Sequence, residues 1–453
     1  MGLKMSTASK LTPRSKKGYV TNLNLTLFGL GTALFPRVIT ALKIPSVINF
    51  LHFIVVPLAC ISVLTNSRSK DQKQLAISKN ILFSLFLLLI IIIASALINQ
   101  AGIINAVLDF LLLAEPFILI LTIVSIPMTA HSYNSFRDWV LRAALINTLF
   151  AYVQKYIFHM EKLIGQEDNI KGIFIGQGAG HVLGGSMAMT FAIYYFVSAK
   201  NKPLWFRIVI ALACLNHIII SDTKQVLVSF IAGYVLLYFV NFKDLKRAVG
   251  YLILGILVLS TFYWAIYNFE FLSAYRTWIR PEIYGWDGEA TQLKFATFRI
   301  APKYFHSPLN WWLGLGPGHT VGRLGGWMLS TYWDLFAPLG ATIHPASTSI
   351  WAAVVKSWLG DQSSMFSPLF GWAGIWGDLG LLGLGCYFYI AMLVWCYVCV
   401  TDTAKYLMLT VFVFGTIFSQ LEEPGYTLIV ASIIGLDWQA KRIANLTKLG
   451  IAI

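Results

Sequence analysis

The sequence predicts an all-α polytopic membrane protein with about twelve transmembrane helices and one long, partly helical external loop. Three observations predict it. Hydrophobic residue types make up 57% of the 453 residues and charged types only 12%, whereas a soluble domain carries about 25% charged residues. Mean hydropathy is +0.69. Apolar stretches recur from near the N-terminus to Leu436, and the run 80–98 (NILFSLFLLLIIIIASALI) alone has the length, about 20 apolar residues, that a spanning helix needs.

Taken in order, the spans fall at 19–36, 46–64, 80–98, 104–128, 139–159, 183–198, 207–220, 225–241, 249–267, 373–400, 406–421 and 425–437. Asn22 and Asn24 interrupt the first, and the seventh and twelfth are short. These spans divide the chain into an N-terminal bundle (1–267), an external loop (268–372) and a C-terminal group of three spans with a tail (373–453).

The basic residues fix an orientation. The tail 1–18, Lys70, Lys73, Arg137, Lys200, Lys202, Lys243, Lys246, Arg247, Lys405, Lys441, Arg442 and Lys448 all fall on the side of the N-terminus when twelve spans are threaded. The positive-inside rule makes that side cytoplasmic. Arg37 and Lys43 are a mild violation on the outer side. The net charge of +14 thus reads as a topology signal and not as a nucleic-acid footprint. Both termini are expected in the cytoplasm, with the chain in the cytoplasmic (inner) membrane and the loop 268–372 outside. The five cysteines sit in apolar segments with no metal-ligand or disulfide pattern.

The external loop is rich in tryptophan, with Trp278, Trp286, Trp311, Trp312, Trp327, Trp333, Trp351, Trp358 and Trp372. Such density suits anchoring at a membrane interface, and it also suits stacking on sugar rings. Residues 290–305 (ATQLKFATFRIAPKYF) pattern as an amphipathic helix as far as Pro302, and 345–359 as a second helix with Pro345 in its first turn. His344 then stands at that helix's N-terminal edge. Between the two lies GLGPG (314–318), which is no Walker loop because Gly-Lys-Ser/Thr does not follow.

The order of motifs is more specific than any one of them. DNIKGIFIGQGAGHVLGGSMAM (168–189) precedes IIISDTKQVLVSFIAGYVLLYF (218–239). The external loop with Arg299 and GLGPG follows, and GDLGLLGLGCYFYI (377–390) then opens a span. This succession resembles the O-antigen ligase and O-antigen polymerase family of bacterial envelope enzymes. The chain departs from that pattern in carrying Ser221, Asp222, Thr223, Lys224 and Gln225 where the family has Ser-Arg-Gly. It carries Ser367, Pro368 and Leu369 where the family has His-Asn.

The resemblance implies transfer or polymerisation of a polyprenyl-pyrophosphate-linked glycan onto a glycan or lipid-linked acceptor, on the outer face of the membrane. It implies no cofactor, and no Asp-x-Asp cluster stands outside the membrane, so no metal is expected. Concentrated charge on a pyrophosphate leaving group calls for Arg and Lys, and an acceptor hydroxyl calls for a general base. On location, Arg299 and Lys224 are expected at the pyrophosphate, with Arg276, Arg280 and Arg323 as further cations. His344 is the expected base, with His319 second, and Glu422 and Glu423 form a carboxylate pair on the outer side. Arg142 and Lys155 lie near the ends of the fifth span, close enough to snorkel. Two other classes stay open. One is a multi-pass transporter of a small anion or lipid-linked solute. The other is a non-catalytic assembly partner in an envelope machine.

Overall fold

The computed structural model describes residues 21–67, 71–164, 169–176, 179–240, 245–269, 276, 280–359, 370–417 and 419–448. The basic tail 1–18 and the Ser367-Pro368-Leu369 stretch lie outside them. Helix is the only regular secondary structure among the described residues, with no strand. Each apolar stretch read from the sequence coincides with a helix. Four are long and apolar enough to cross a membrane: Ser46–Asn66, Gln72–Ile98, Ile103–Ser125 and Gly371–Tyr397.

Two helices form the axis of the bundle. Ile103–Ser125 is buried along nearly all of its second half, and Pro424–Lys448 is buried from Pro424 to Leu436. They pack on each other, and Ile103–Ser125 also packs on Gln72–Ile98 and His52–Asn66. The last carbonyls of Ile103–Ser125 have no partner in the helix, and two buried glutamines supply one. Gln439 donates to the carbonyls of Ile123 (2.7 Å) and Ile126 (2.8 Å), and Gln74 donates to that of Val124 (2.5 Å). A few helix starts carry a side-chain cap, as Asp71 does in accepting from the N–H groups of Lys73 and Gln74.

The outside of the bundle is apolar too. Leu97, Ile103, Leu212, Leu259 and Met392 are each more than half exposed. A surface of this kind is stable against hydrocarbon and not against water.

The loop after residue 268 folds back onto the bundle. The stretch 290–305, expected as one helix, is three short pieces: Glu289–Lys294, Ala296–Ile300 and the 3₁₀ turn Ala301–Tyr304. Phe295 caps the first piece and starts the second. The second expected helix is present as Pro345–Lys356, with His344 as its N-cap.

The Gly371–Tyr397 helix is broken. Gly380 holds φ 65°, ψ −161°, a conformation open in practice only to glycine. Facing it, Gly314 holds φ 69°, ψ −159°. A Cβ on Gly380 would lie 2.4 Å from the Trp312 carbonyl carbon, and one on Gly314 would lie 2.3 Å from that of Asp378. The two backbones therefore touch, and Leu315 N–H donates to Gly377 O (2.9 Å) and Gly316 N–H to Asp378 O (3.0 Å). The break leaves carbonyls unpaired inside the helix, and the N–H groups of Leu315 and Gly316 satisfy them.

Candidate functional site

The GLGPG segment, which alone would pass for an ordinary turn, wraps the Asp378 carboxylate. Oδ2 accepts from Gly318 N–H (2.9 Å), and Oδ1 accepts from Thr320 N–H (2.7 Å) and the Thr320 hydroxyl (2.6 Å). Asp378 is 3% exposed, so a carboxyl so placed needs every one of these donors. Asn99 and Asn105 brace the same loop through the carbonyls of Gly314 (3.2 Å) and Pro317 (3.0 Å).

Beyond Thr320 the chain enters a π-helical turn, Leu324–Met328, a geometry that recurs at functional sites. It places the Arg323 guanidinium over the Trp327 ring, 5.3 Å from its centroid. Arg323 N–H donates to Glu422 Oε2 (2.7 Å), its Nη1 donates to the Glu422 carbonyl (3.2 Å), and the guanidinium pairs with the Glu423 carboxylate. Burial pushes the Glu422 carboxyl up to about 8. The Arg323 N–H opposes that rise, and the charges of Asp378 and Glu423 add to it.

Arg323, Trp327 and Glu423 line a cleft together with Arg37, His52, Phe53, Phe174 and Tyr332. Arg37 comes from the short Pro36–Thr40 helix and has no ion-pair partner among the described residues. His52 opens the His52–Asn66 helix. Its Nδ1 lies 2.7 and 2.9 Å from the two oxygens of Glu115, and both side chains are buried. Beside a carboxylate, Nδ1 is the donor. That fixes the tautomer and leaves the Nε2 lone pair available, the arrangement by which a carboxylate readies an imidazole to take a proton. Two guanidiniums beside a proton acceptor can hold a phosphate-bearing anion and deprotonate a hydroxyl next to it.

Arg323, Glu422 and Glu423 are the sequence-expected residues that come together here. The others stand elsewhere. Arg299 is exposed and donates to the Gln292 carbonyl (2.6 Å). Lys224 pairs with Asp222 (2.9 Å), both about half exposed. Arg276 donates to the carbonyls of Ile266 and Tyr267, both at 2.9 Å, and Arg280 is exposed.

The two histidines stack, with ring centroids 5.1 Å apart. His319 is a buried strut: Nδ1 donates to the Leu315 carbonyl (2.8 Å) and Nε2 accepts from the Thr342 hydroxyl (2.8 Å). Burial pushes it down to about 4. His344 Nδ1 accepts from Ala346 N–H (3.1 Å), so its neutral form carries the proton on Nε2 and presents a donor there. Burial lowers its pKa, and neighbouring His306 lowers it further.

Sequence reasoning missed Arg37, His52 and Glu115, and each left a signal. His52 and Glu115 are ionisable residues inside apolar spans, where such residues are functional by default. Arg37 is the cation that broke the charge rule. Among the described residues no group of three or more His, Cys, Asp or Glu side chains could hold a metal. No family model matches the chain, and no curated protein matches it.

Proposed function

We propose that the chain is a polytopic enzyme of the cytoplasmic membrane, with twelve spans and both termini inside. It transfers or polymerises a polyprenyl-pyrophosphate-linked glycan at its outer face, in surface-polysaccharide synthesis. The observation that carries this reading is the His52–Glu115 pair opening onto a cleft with Arg37 and Arg323. On the twelve-span threading, the segments that bear Arg37, Arg323 and Glu423 all lie on the outer side. The donor is there, and so is the acceptor. The ordered motifs shared with the O-antigen ligase and polymerase family support the same class.

The residues take these roles. Arg37 and Arg323 hold the pyrophosphate, and Glu423 keeps the Arg323 fork in place. The acceptor hydroxyl oxygen attacks the anomeric carbon as the bond from that carbon to the pyrophosphate oxygen breaks. The hydroxyl proton passes to His52 Nε2, and the lipid pyrophosphate leaves with the bonding electron pair. One displacement of this kind inverts the anomeric centre. Glu115 holds the imidazole in the accepting tautomer and stabilises the imidazolium that forms.

The test is deletion followed by profiling of surface glycans. Long polysaccharide is lost on deletion and returns with the wild-type gene, but not with His52→Ala or Arg37→Ala. Normal glycans in the deletion strain would overturn the reading. One observation favours a second reading: a buried His–Glu pair inside spans is also what a proton-coupled carrier needs. Normal glycans together with lost uptake of an anion would select it.

A further inference from the structure

A second concavity lies away from the cleft, on the side of the bundle. It is a lateral groove between the Ile103–Ser125, Gly371–Tyr397, Asp402–Ile417 and Pro424–Lys448 helices, enclosing about 1120 Å³ with its open side included. Phe117, Ile120, Met392, Trp395, Val430 and Ile434 are among its walls. The few polar groups in it include Thr427, whose hydroxyl is already donated to the Glu423 carbonyl (3.0 Å). At the end nearer the cleft, the lining residues Phe388 and Phe412 pack on Trp372 (ring centroids 4.9 and 5.1 Å away). At the other end Lys405 sets its ammonium over the Trp395 ring, 5.7 Å from the centroid, and it has no ion-pair partner among the described residues.

We propose that this groove holds one acyl chain of an anionic glycerophospholipid whose phosphate sits on Lys405. The shape supports a single chain. From Tyr387 to Trp395 the wall is about 12 Å long at 1.5 Å per residue, close to the ~15 Å that one leaflet contributes to a ~30 Å hydrocarbon core. The polarity of the groove sets the direction, with a cation beside its Trp395 end and aromatic rings at the other. Charge complementarity selects an anionic headgroup, since basic residues at one end of an intramembrane pocket recruit such lipids. Asp437, near the same end, is engaged by the Thr401 hydroxyl (2.6 Å), and Asp402 opens the helix that carries Lys405. These carboxylates disfavour a doubly charged headgroup and leave a monoanionic phosphodiester as the best fit. The site stands apart from the cleft, so it does not depend on the glycan reading.

The test uses the full chain, purified in mild detergent and examined by native mass spectrometry with added phosphatidylglycerol or phosphatidylcholine. One phosphatidylglycerol per chain is expected, retained at least tenfold better than phosphatidylcholine. Lys405→Glu is expected to cut that retention at least tenfold. Ala391→Trp, which fills the groove from its wall, is expected to do the same while the protein stays monodisperse. Lys441→Glu, a charge change on the exposed tail, is the control and leaves retention unchanged. Equal retention of the two lipids would overturn the proposal, as would wild-type retention in both Lys405→Glu and Ala391→Trp. So would a polyprenyl phosphate that displaces phosphatidylglycerol from the groove.

Discussion

His52 and Glu115, 63 residues apart in the chain, meet in the buried bundle with Nδ1 of the imidazole within 2.9 Å of both carboxylate oxygens. The pair has no place in a purely apolar core. Removing one partner leaves the other a buried polar group without its hydrogen bond, at a cost of about 1–3 kcal/mol. Its position at the cleft gives it work to do.

His52→Ala is expected to lower turnover by roughly 10²–10⁴, the usual share of a general base. Glu115→Gln keeps a hydrogen-bond acceptor but removes the charge, so it is expected to lower turnover while substrate affinity stays near wild type. His344→Asn keeps an N-cap group and is expected to leave turnover within about twofold. Single-turnover transfer of lipid-linked glycan in proteoliposomes reads all three. Full activity in His52→Ala with none in His344→Asn would reverse the assignment of the base.

Arg37 separates binding from folding. With no ion-pair partner among the described residues, Arg37→Ala is expected to leave the melting temperature within about 2 °C while raising the donor KM by about ten- to a hundredfold, as loss of a charge-assisted contact does. Arg37→Lys is expected to restore only part of this, since an ammonium lacks the planar fork. Donor-dependent initial rates together with thermal unfolding in detergent check it.

Glu422 makes stability depend on pH. Its carboxyl rises from 4.5 to about 8 on folding, so the folded state holds the proton more tightly than the unfolded chain. The stabilisation is complete below about 4.5 and is lost as pH rises through about 8. Each unit of such a shift corresponds to about 1.4 kcal/mol at most. Glu422→Gln cannot titrate and is expected to flatten this part of the profile. Melting temperatures of both proteins from pH 5 to pH 9 test it, and parallel curves would reject it.

Gly380→Ala and Gly314→Ala are each expected to destabilise the fold by at least 1–3 kcal/mol, through the disfavoured backbone and the backbone atoms in the way. Gly385, in the same helix, has nothing within 4 Å of a built Cβ. Gly385→Ala is expected to be neutral or mildly stabilising. Yield of monodisperse protein by gel filtration compares the three.

The helices were legible because long apolar runs leave a chain few other options, and four of them are long and apolar enough to cross a membrane. The break in one of them was not, since Gly380 sits in GDLGLLGLG, where any of four glycines satisfies the pattern. GLGPG and GDLGLLG stood out in the sequence as separate motifs, but their contact, about 60 residues apart, is tertiary. The same holds for the site. Arg323 and Glu422 were visible as charges near a membrane rim, yet no rule of spacing pairs residues 99 apart. The helix expected over 290–305 had the right period, but its pieces bend at Phe295 to follow the bundle, and tertiary packing overrode local preference. Arg37 was legible as an anomaly of the charge pattern, not as a residue of the cleft.

The facing turns at Gly314 and Gly380 also bear on biogenesis. A ribosome makes residues 314–320 some sixty residues before it makes Asp378. During that interval the segment has its N–H groups ready and nothing to bind. The stretch around Gly380 then arrives as an apolar helix with a gap in its own ladder, and the waiting segment fills it. The late helix and the earlier loop thus complete each other only once both have been made, and a chain truncated before residue 378 would leave the 314–320 segment with no dock.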